Sequence, residues 1–204
     1  MTAATRTPDN RLLPPAAIPS QEVAVWGMAL FCATEAALFA YLLTSYFYLG
    51  VTNPRWPPAG IEDPKLTLPL IMTGALLASS VAAWWGERGI KEGRAGQLRL
   101  GLGLAMLLGA VFLALQMLEY REKLKHMLPQ THAYAASFYT ITGFHGMHVA
   151  LGVLFLGYTL LHAARGQFTA VEHTGVTVTS LYWHTVDGIW LAILASLYLS
   201  PRLA

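Results

Sequence analysis

The sequence predicts an all-α membrane protein, a five-transmembrane-helix bundle, and three observations carry that prediction. Of its 204 residues, 55% are hydrophobic and only 12% are charged, against about 25% charge in an ordinary soluble domain. So few ionic groups cannot wet a globular surface. The apolar residues gather into runs whose lengths match the roughly twenty residues a helix needs to cross hydrocarbon. Between the runs sit short gaps that hold most of the proline and charge.

Taken in order, residues 1–22 form a proline-rich tail. It contains Pro8, Pro14, Pro15 and Pro19 but no apolar core of the kind a signal peptide carries, so it reads as an extended, uncleaved segment. Residues 23–204 form the five-helix membrane domain. Its first span, Val23–Leu49, stops at Asn53-Pro54-Arg55-Trp56-Pro57-Pro58, where proline removes helical N–H donors. The second, Leu66–Trp85, ends before Glu87-Arg88-Gly89-Ile90-Lys91-Glu92, and the third, Leu100–Leu118, before Arg121-Glu122-Lys123. The fourth, Tyr134–Leu161, precedes Arg165-Gly166-Gln167, and the fifth is Val176–Leu199. None of these gaps is long enough for a separate soluble domain. Neither a fixed-period repeat nor two mirrored halves is visible, which weighs against a solenoid and against an inverted-repeat transporter. Basic residues number about seven on the side of the N-terminus and about six opposite, a slight lean toward a cytoplasmic N-terminus.

Several function classes drop out on composition. The net charge is +2, from 13 basic and 11 acidic residues, and no basic stretch is dense enough to follow a phosphate backbone, so nucleic acid is not a partner. Cys32 is the single cysteine; a disulfide framework, a thiolate zinc site, an iron–sulfur cluster and a two-cysteine copper centre within the chain are excluded. Inside lipid, helices are drawn together by small residues that let backbones approach. Gly74 with Ala78, Ala75 with Ser79, Ala105 with Gly109, and Gly146 with Ala150 have that spacing. Large residues such as Phe31, Leu38 and Phe39 are then expected to face lipid or another subunit.

Polar groups at membrane depth need a reason. An ionised acid there costs on the order of 2.5–3.5 kcal/mol by insertion scales, and Glu35 and Asp187 are the two acids well inside the spans. Glu35 lies roughly 18 Å of helical rise from Val23, with no base on its own helix, so a neutral, hydrogen-bonding carboxyl is expected. It serves either as a proton-linked site or as a packing bond to another helix. Asp187 follows His184 by three residues, which places them on one helical face; a structural clasp between the two is favoured over a chemical role. His145 and His148 have the same spacing. With a carboxylate they could build a two-His-one-carboxylate metal site, but no zincin, di-iron or covalent-haem spacing accompanies them. Hydrogen bonding between helices is the favoured use. Glu119, at the end of the third span, either joins a network with His148 or His132 or sits among headgroups. No phosphate loop and no Ser/His/Asp order supports hydrolysis or group transfer.

The residues quoted so far converge on one family. The chain resembles subunit III of the haem–copper respiratory oxidases, the cytochrome c oxidase type, from its first span to the C-terminus. The likeness is carried by Thr34-Glu35-Ala36-Ala37-Leu38-Phe39, Trp56-Pro57-Pro58-Ala59-Gly60-Ile61, and Leu68-Pro69-Leu70 with Leu76-Leu77-Ala78-Ser79-Ser80. It continues in Gln116-x-x-Glu119-Tyr120, Gly143-Phe144-His145-Gly146-Met147-His148-Val149-x-x-Gly152 and Tyr182-Trp183-His184-x-x-Asp187-x-x-Trp190. Each is modest alone; six in the family's order are specific.

The resemblance implies a non-catalytic core subunit of a proton-pumping terminal oxidase, binding no haem or copper itself. Those cofactors belong to partner subunits, with direct packing on subunit I and subunit II in the same complex. It implies support of proton uptake and protection of the oxygen-reducing centre. It also implies a multi-pass bacterial inner-membrane location, a cytoplasmic N-terminus, an outer C-terminus and structural phospholipids. Glu35 matches the family's intramembrane acid and leans toward the cytochrome c type. Glu119, His145, His148, His184 and Asp187 match polar positions that tie helices together. Longer members have seven spans, the two additional N-terminal ones forming a lipid-filled cleft with the rest; a five-helix bacterial form is expected here. The alternatives are a subunit III of a quinol oxidase or nitric oxide reductase relative, and, from another class, a freestanding metal-dependent membrane enzyme or a proton-coupled carrier.

Overall fold

The computed structural model describes residues 21–58 and 66–200. The tail through residue 20, the Ala59-Gly60-Ile61 end of the first loop motif and residues 201–204 lie outside them. Five α-helices follow one another: α1 Gln21–Thr52, α2 Thr67–Lys91, α3 Ala95–Lys123, α4 Ala133–Ala164 and α5 Thr174–Ile193, the last continuing as a π-helical segment, Leu194–Leu199. Helices α1 to α4 are each long and apolar enough to cross a membrane. Helix α5 is the polar exception, because its Thr, Ser, Tyr, His and Asp side chains lie largely inside the bundle.

The helices outrun the apolar stretches that predict them. Glu87–Lys91 and Arg121–Lys123, expected in the gaps, are helical. Ion pairs one turn apart extend the ends: Lys91 Nζ to Glu87 Oε1 at 2.8 Å and Lys123 Nζ to Glu119 Oε1 at 3.5 Å. Pro69 is tolerated because it lies in the first turn of α2, where N–H groups have no helical acceptor. At the start of α4, the His132 ring accepts the Ala135 N–H at 3.0 Å and so caps the helix.

Helices α2 and α3 form a tight antiparallel hairpin. Its turn needs Gly93, at φ +78°, in the left-handed region. The hairpin closes on glycine: a Cβ placed on Gly101 would stand 2.6 Å from both the Gly86 Cα and the Ala82 carbonyl oxygen. Helix α3 then packs on α4, and α5 lies among α1, α2 and α4. Among the described residues, helix α1 packs closely on α4 and α5, leaving Trp26, Leu30, Tyr41, Tyr48 and Val51 exposed on its outer face. Aromatic contacts from Trp56 to Tyr46 and Tyr134, at centroid distances of 5.4 and 5.2 Å, fold the first loop back against α1 and α4.

The small residues divide. Gly109 receives the Trp183 ring and Gly146 the Gln116 amide, each approaching to under 3 Å of where a Cβ would sit. Ala150 is partly buried on α4. Gly74 and Ala78 are exposed, and nothing lies within 4 Å of a Gly74 Cβ, so they join no helices among the described residues. Phe39 also departs from expectation. It is buried, edge-on to His148 at 5.3 Å, because its position turns inward while Phe31 and Leu38 stay outside.

Candidate functional site

The polar residues singled out from the sequence do not form one network. They separate into clusters on different helix interfaces, and the separation defines what each can do.

Helix α1 presents Glu35 to α4, where its Oε2 lies 2.7 Å from His148 Nε2. The other ring nitrogen, Nδ1, is 2.6 Å from the Phe144 carbonyl oxygen. A carbonyl only accepts, so Nδ1 carries hydrogen. The Nε2 position then either accepts from a protonated Glu35 or, as imidazolium, donates to its carboxylate. In both forms the pair holds one shared proton, which removes the cost of an isolated ion at depth. The base absent from α1 is thus supplied across the interface. The Glu35 side chain keeps 21% of its surface exposed, beside an open apolar hollow lined by Thr34, Ala37, Leu38, Tyr41 and Leu42.

His145 turns away from this pair despite sharing its i,i+3 spacing. It is fully buried, stacked on Trp190 at 5.1 Å with Phe112 and Phe39 edge-on, and neither ring nitrogen has a hydrogen-bond partner among the described residues. Aromatic contact, rather than hydrogen bonding between helices, holds it. The two histidines therefore do not converge on a carboxylate, and among the described residues no three His, Cys, Asp or Glu side chains are placed to hold a metal.

The His184–Asp187 clasp is also different in detail. Both side chains meet the Ser80 hydroxyl of α2, His184 through Nδ1 at 2.9 Å. In the sequence, Ser80 stands out only as the end of a family motif. Its signal is a hydroxyl at membrane depth, whose partner on another helix no linear spacing reveals.

Glu119 is bonded to neither His148 nor His132, and its side chain turns into the bundle. It is buried at the end of α3, accepts the Tyr198 hydroxyl through both oxygens at 3.0 and 3.1 Å, and pairs with Lys123. Lys123 in turn lies 4.3 Å from the Phe138 ring centre. One turn inward, the Gln116 amide donates to the Thr142 carbonyl at 2.7 Å and the Tyr120 and Thr142 hydroxyls are 2.7 Å apart, joining α3 to α4.

Comparison with known proteins identifies this arrangement. Residues 17–201 match the family model described as cytochrome c oxidase subunit III. The chain belongs to the cytochrome c oxidase subunit III family. A cytochrome c oxidase subunit 3 from Coturnix japonica is 37% identical over 179 residues, 85% of this chain and 68% of the relative. That of Locusta migratoria is 37% identical over 182 residues, covering 85% and 67%. That of Synechocystis sp. is 34% identical over 179 residues, covering 87% and 76%. This subunit III is accordingly a multi-pass membrane component of a haem–copper oxidase complex.

Proposed function

We propose that this subunit III is the non-catalytic member of a proton-pumping cytochrome c oxidase, packing directly on subunit I with subunit II in the same complex. In this reading it braces the catalytic subunit and supports its proton uptake. Haem and copper reside on those partners, and structural phospholipids fill the apolar hollows of its flank. The chain lies in a bacterial inner membrane with its N-terminus cytoplasmic and its C-terminus outside.

The observation that carries the reading is the outer face of α1. That helix is apolar and mostly uncovered by the described residues of its own chain, yet it places the Glu35–His148 pair at the rim of the uncovered surface. An uncovered apolar helix is what another membrane subunit or lipid covers, and an acid on its margin is costly unless it has a use.

Two experiments test it. Oxidase purified without this subunit should reduce oxygen at a nearly unchanged initial rate, then inactivate faster and take up protons more slowly. Immediate loss of haem or copper would place those cofactors on this chain and end the proposal. A hydrophobic carbodiimide should label the neutral form of Glu35, and Glu35→Ala should abolish that labelling; labelling that persists in the variant would count against a protonated, lipid-accessible acid.

A further inference from the structure

Four of the helices close a ring. Helix α2 packs on α3, α3 on α4, α4 on α5 and α5 back on α2, while α1 lies outside the ring against α4 and α5. Among the described residues α1 and α2 do not pack closely on each other, which leaves a strip of α5 uncovered between them. The strip runs through His184, Gly188 and Ala192, each four residues from the last and so on one line of the helix. His184 is partly exposed, Gly188 and Ala192 are exposed, and nothing lies within 4 Å of a Cβ placed on Gly188. Leu191 of α5 and Leu77 of α2, 42% and 44% exposed, border it.

Polar groups set this strip apart from the rest of the outer surface. Ser80 of α2 is partly exposed as well, and its hydroxyl meets His184 Nδ1 at 2.9 Å and the Asp187 carboxyl. Ser80 stands roughly 20 Å of helical rise from the start of α2 and His184 roughly 15 Å from the start of α5, the middle of a hydrocarbon layer about 30 Å thick. Ionisable side chains at that depth face the interior of a bundle or a water-filled cavity, and lipid tails offer no hydrogen bonds. Half of the cluster conforms within this chain: Asp187 and Ser180, whose Oγ is 3.3 Å from His184 Nε2, are each 5% exposed. His184 and Ser80 instead open outward. Helix α5 is also less apolar than α1 to α4, each of which is long and apolar enough to cross a membrane. By contrast, the outer face of α3 exposes only apolar groups at this level, Leu104, Leu107 and Val111 among them.

We infer that the interior of the oxidase begins at this strip: a transmembrane helix of the haem-bearing subunit lies along α5 between α1 and α2, with a hydrogen-bonding side chain level with His184 and Ser80. Gly188 and Ala192 let its backbone approach closely. Its polar side chain supplies what hydrocarbon cannot, which is why the occupant is a protein helix and not an acyl chain. The inference rests on the reading that this chain packs on the haem-bearing subunit, and it adds the face that does so. The Glu35–His148 pair joins α1 to α4 and takes no part.

The test is site-specific photo-cross-linking in the intact oxidase in lipid, with benzoylphenylalanine placed singly at Leu77, Leu191, Leu30 on the outer face of α1, and Leu104 on α3. Leu77 and Leu191 should each give a covalent product with the haem-bearing subunit, mapping by mass spectrometry to one transmembrane segment that carries a Ser, Thr, Asn, Gln or His side chain within a turn of the attachment point. Leu104 should give none. Products with that subunit from Leu30 but not from Leu77 or Leu191 would overturn the docking face while leaving the packing on the haem-bearing subunit intact; no such product from any of the four positions would overturn both. Products from Leu77 and Leu191 with lipid or another chain, attachment to a uniformly apolar segment, or equal cross-linking from Leu104 would each overturn the inference. A second measurement fills the strip. Gly188→Leu should lower retention of the subunit in the purified complex roughly tenfold by overpacking the contact, whereas Gly103→Leu on α3, which also has nothing within 4 Å of its Cβ position, should be retained like the parent. Equal retention of the two variants would overturn the assignment.

Discussion

Trp183 shows how one residue can set the spacing of three helices. Its fully buried ring lies against Gly109 of α3 and Gly152 of α4, at 2.6 and 2.7 Å from where a Cβ on each glycine would sit. Those neighbours are rigid ring atoms, so a methyl group cannot be accommodated by a side-chain rotation. Gly152→Ala is therefore expected to destabilise the subunit by about 1–3 kcal/mol, the usual range for overpacking. Gly74→Ala, with open space around it, should be neutral. Thermal release of the subunit from purified oxidase distinguishes the two. Gly109 could be read in advance because it pairs with Ala105 at helical spacing. The role of Gly152 as a seat for tryptophan could not, since nothing in its own helix indicates that an indole arrives from α5.

At the scale of elements, α5 is fastened to α2 by two indole hydrogen bonds. Trp183 Nε1 donates to Ser79 Oγ and Trp190 Nε1 to Thr73 Oγ1, each at 2.9 Å and buried. Removing an acceptor strands an indole N–H with no water at hand. Ser79→Ala should cost about 1–3 kcal/mol, and combination with Thr73→Val should cost more than either change alone. Detergent-induced dissociation of the subunit measures both. At the far end of the bundle, Tyr198 reaches Glu119 from the π-helical segment. Tyr198→Phe deletes a bond to a carboxyl, worth about 1.5–3 kcal/mol when that group is charged. Amide hydrogens of the Leu194–Leu199 segment should then exchange faster, while those of α2 and α3 should be unaffected. Equal protection in parent and variant would show that packing alone holds that end. The sequence placed Glu119 at the end of its helix but not its partner, because Tyr198 is 79 residues away.

For the whole molecule, the arrangement separates two kinds of surface. The interfaces of α5 with α2 and α4 concentrate the aromatic and hydroxyl groups, whereas the outer side of α1 is a broad apolar face edged by one proton-sharing pair. If that pair holds α1 to α4, His148→Ala should leave Glu35 without its partner and loosen the subunit by about 3–5 kcal/mol, the scale for breaking a buried pair. Restoration of retention by the second change Glu35→Leu would locate the penalty in the stranded acid. The count and order of the helices and the family were both legible from sequence. Hydropathy and motif order are properties of a line of residues, and they decide which segments leave water. Which side chains meet was decided only in three dimensions. An i,i+3 spacing places two groups near one another on a helix, but the rotation of that helix against its neighbours determines whether they share a partner, as His184 and Asp187 share Ser80, or part company, as His145 and His148 do. In lipid no solvent distinguishes an inner from an outer apolar face, so that rotation is set by close packing and by the bonds that buried polar groups find.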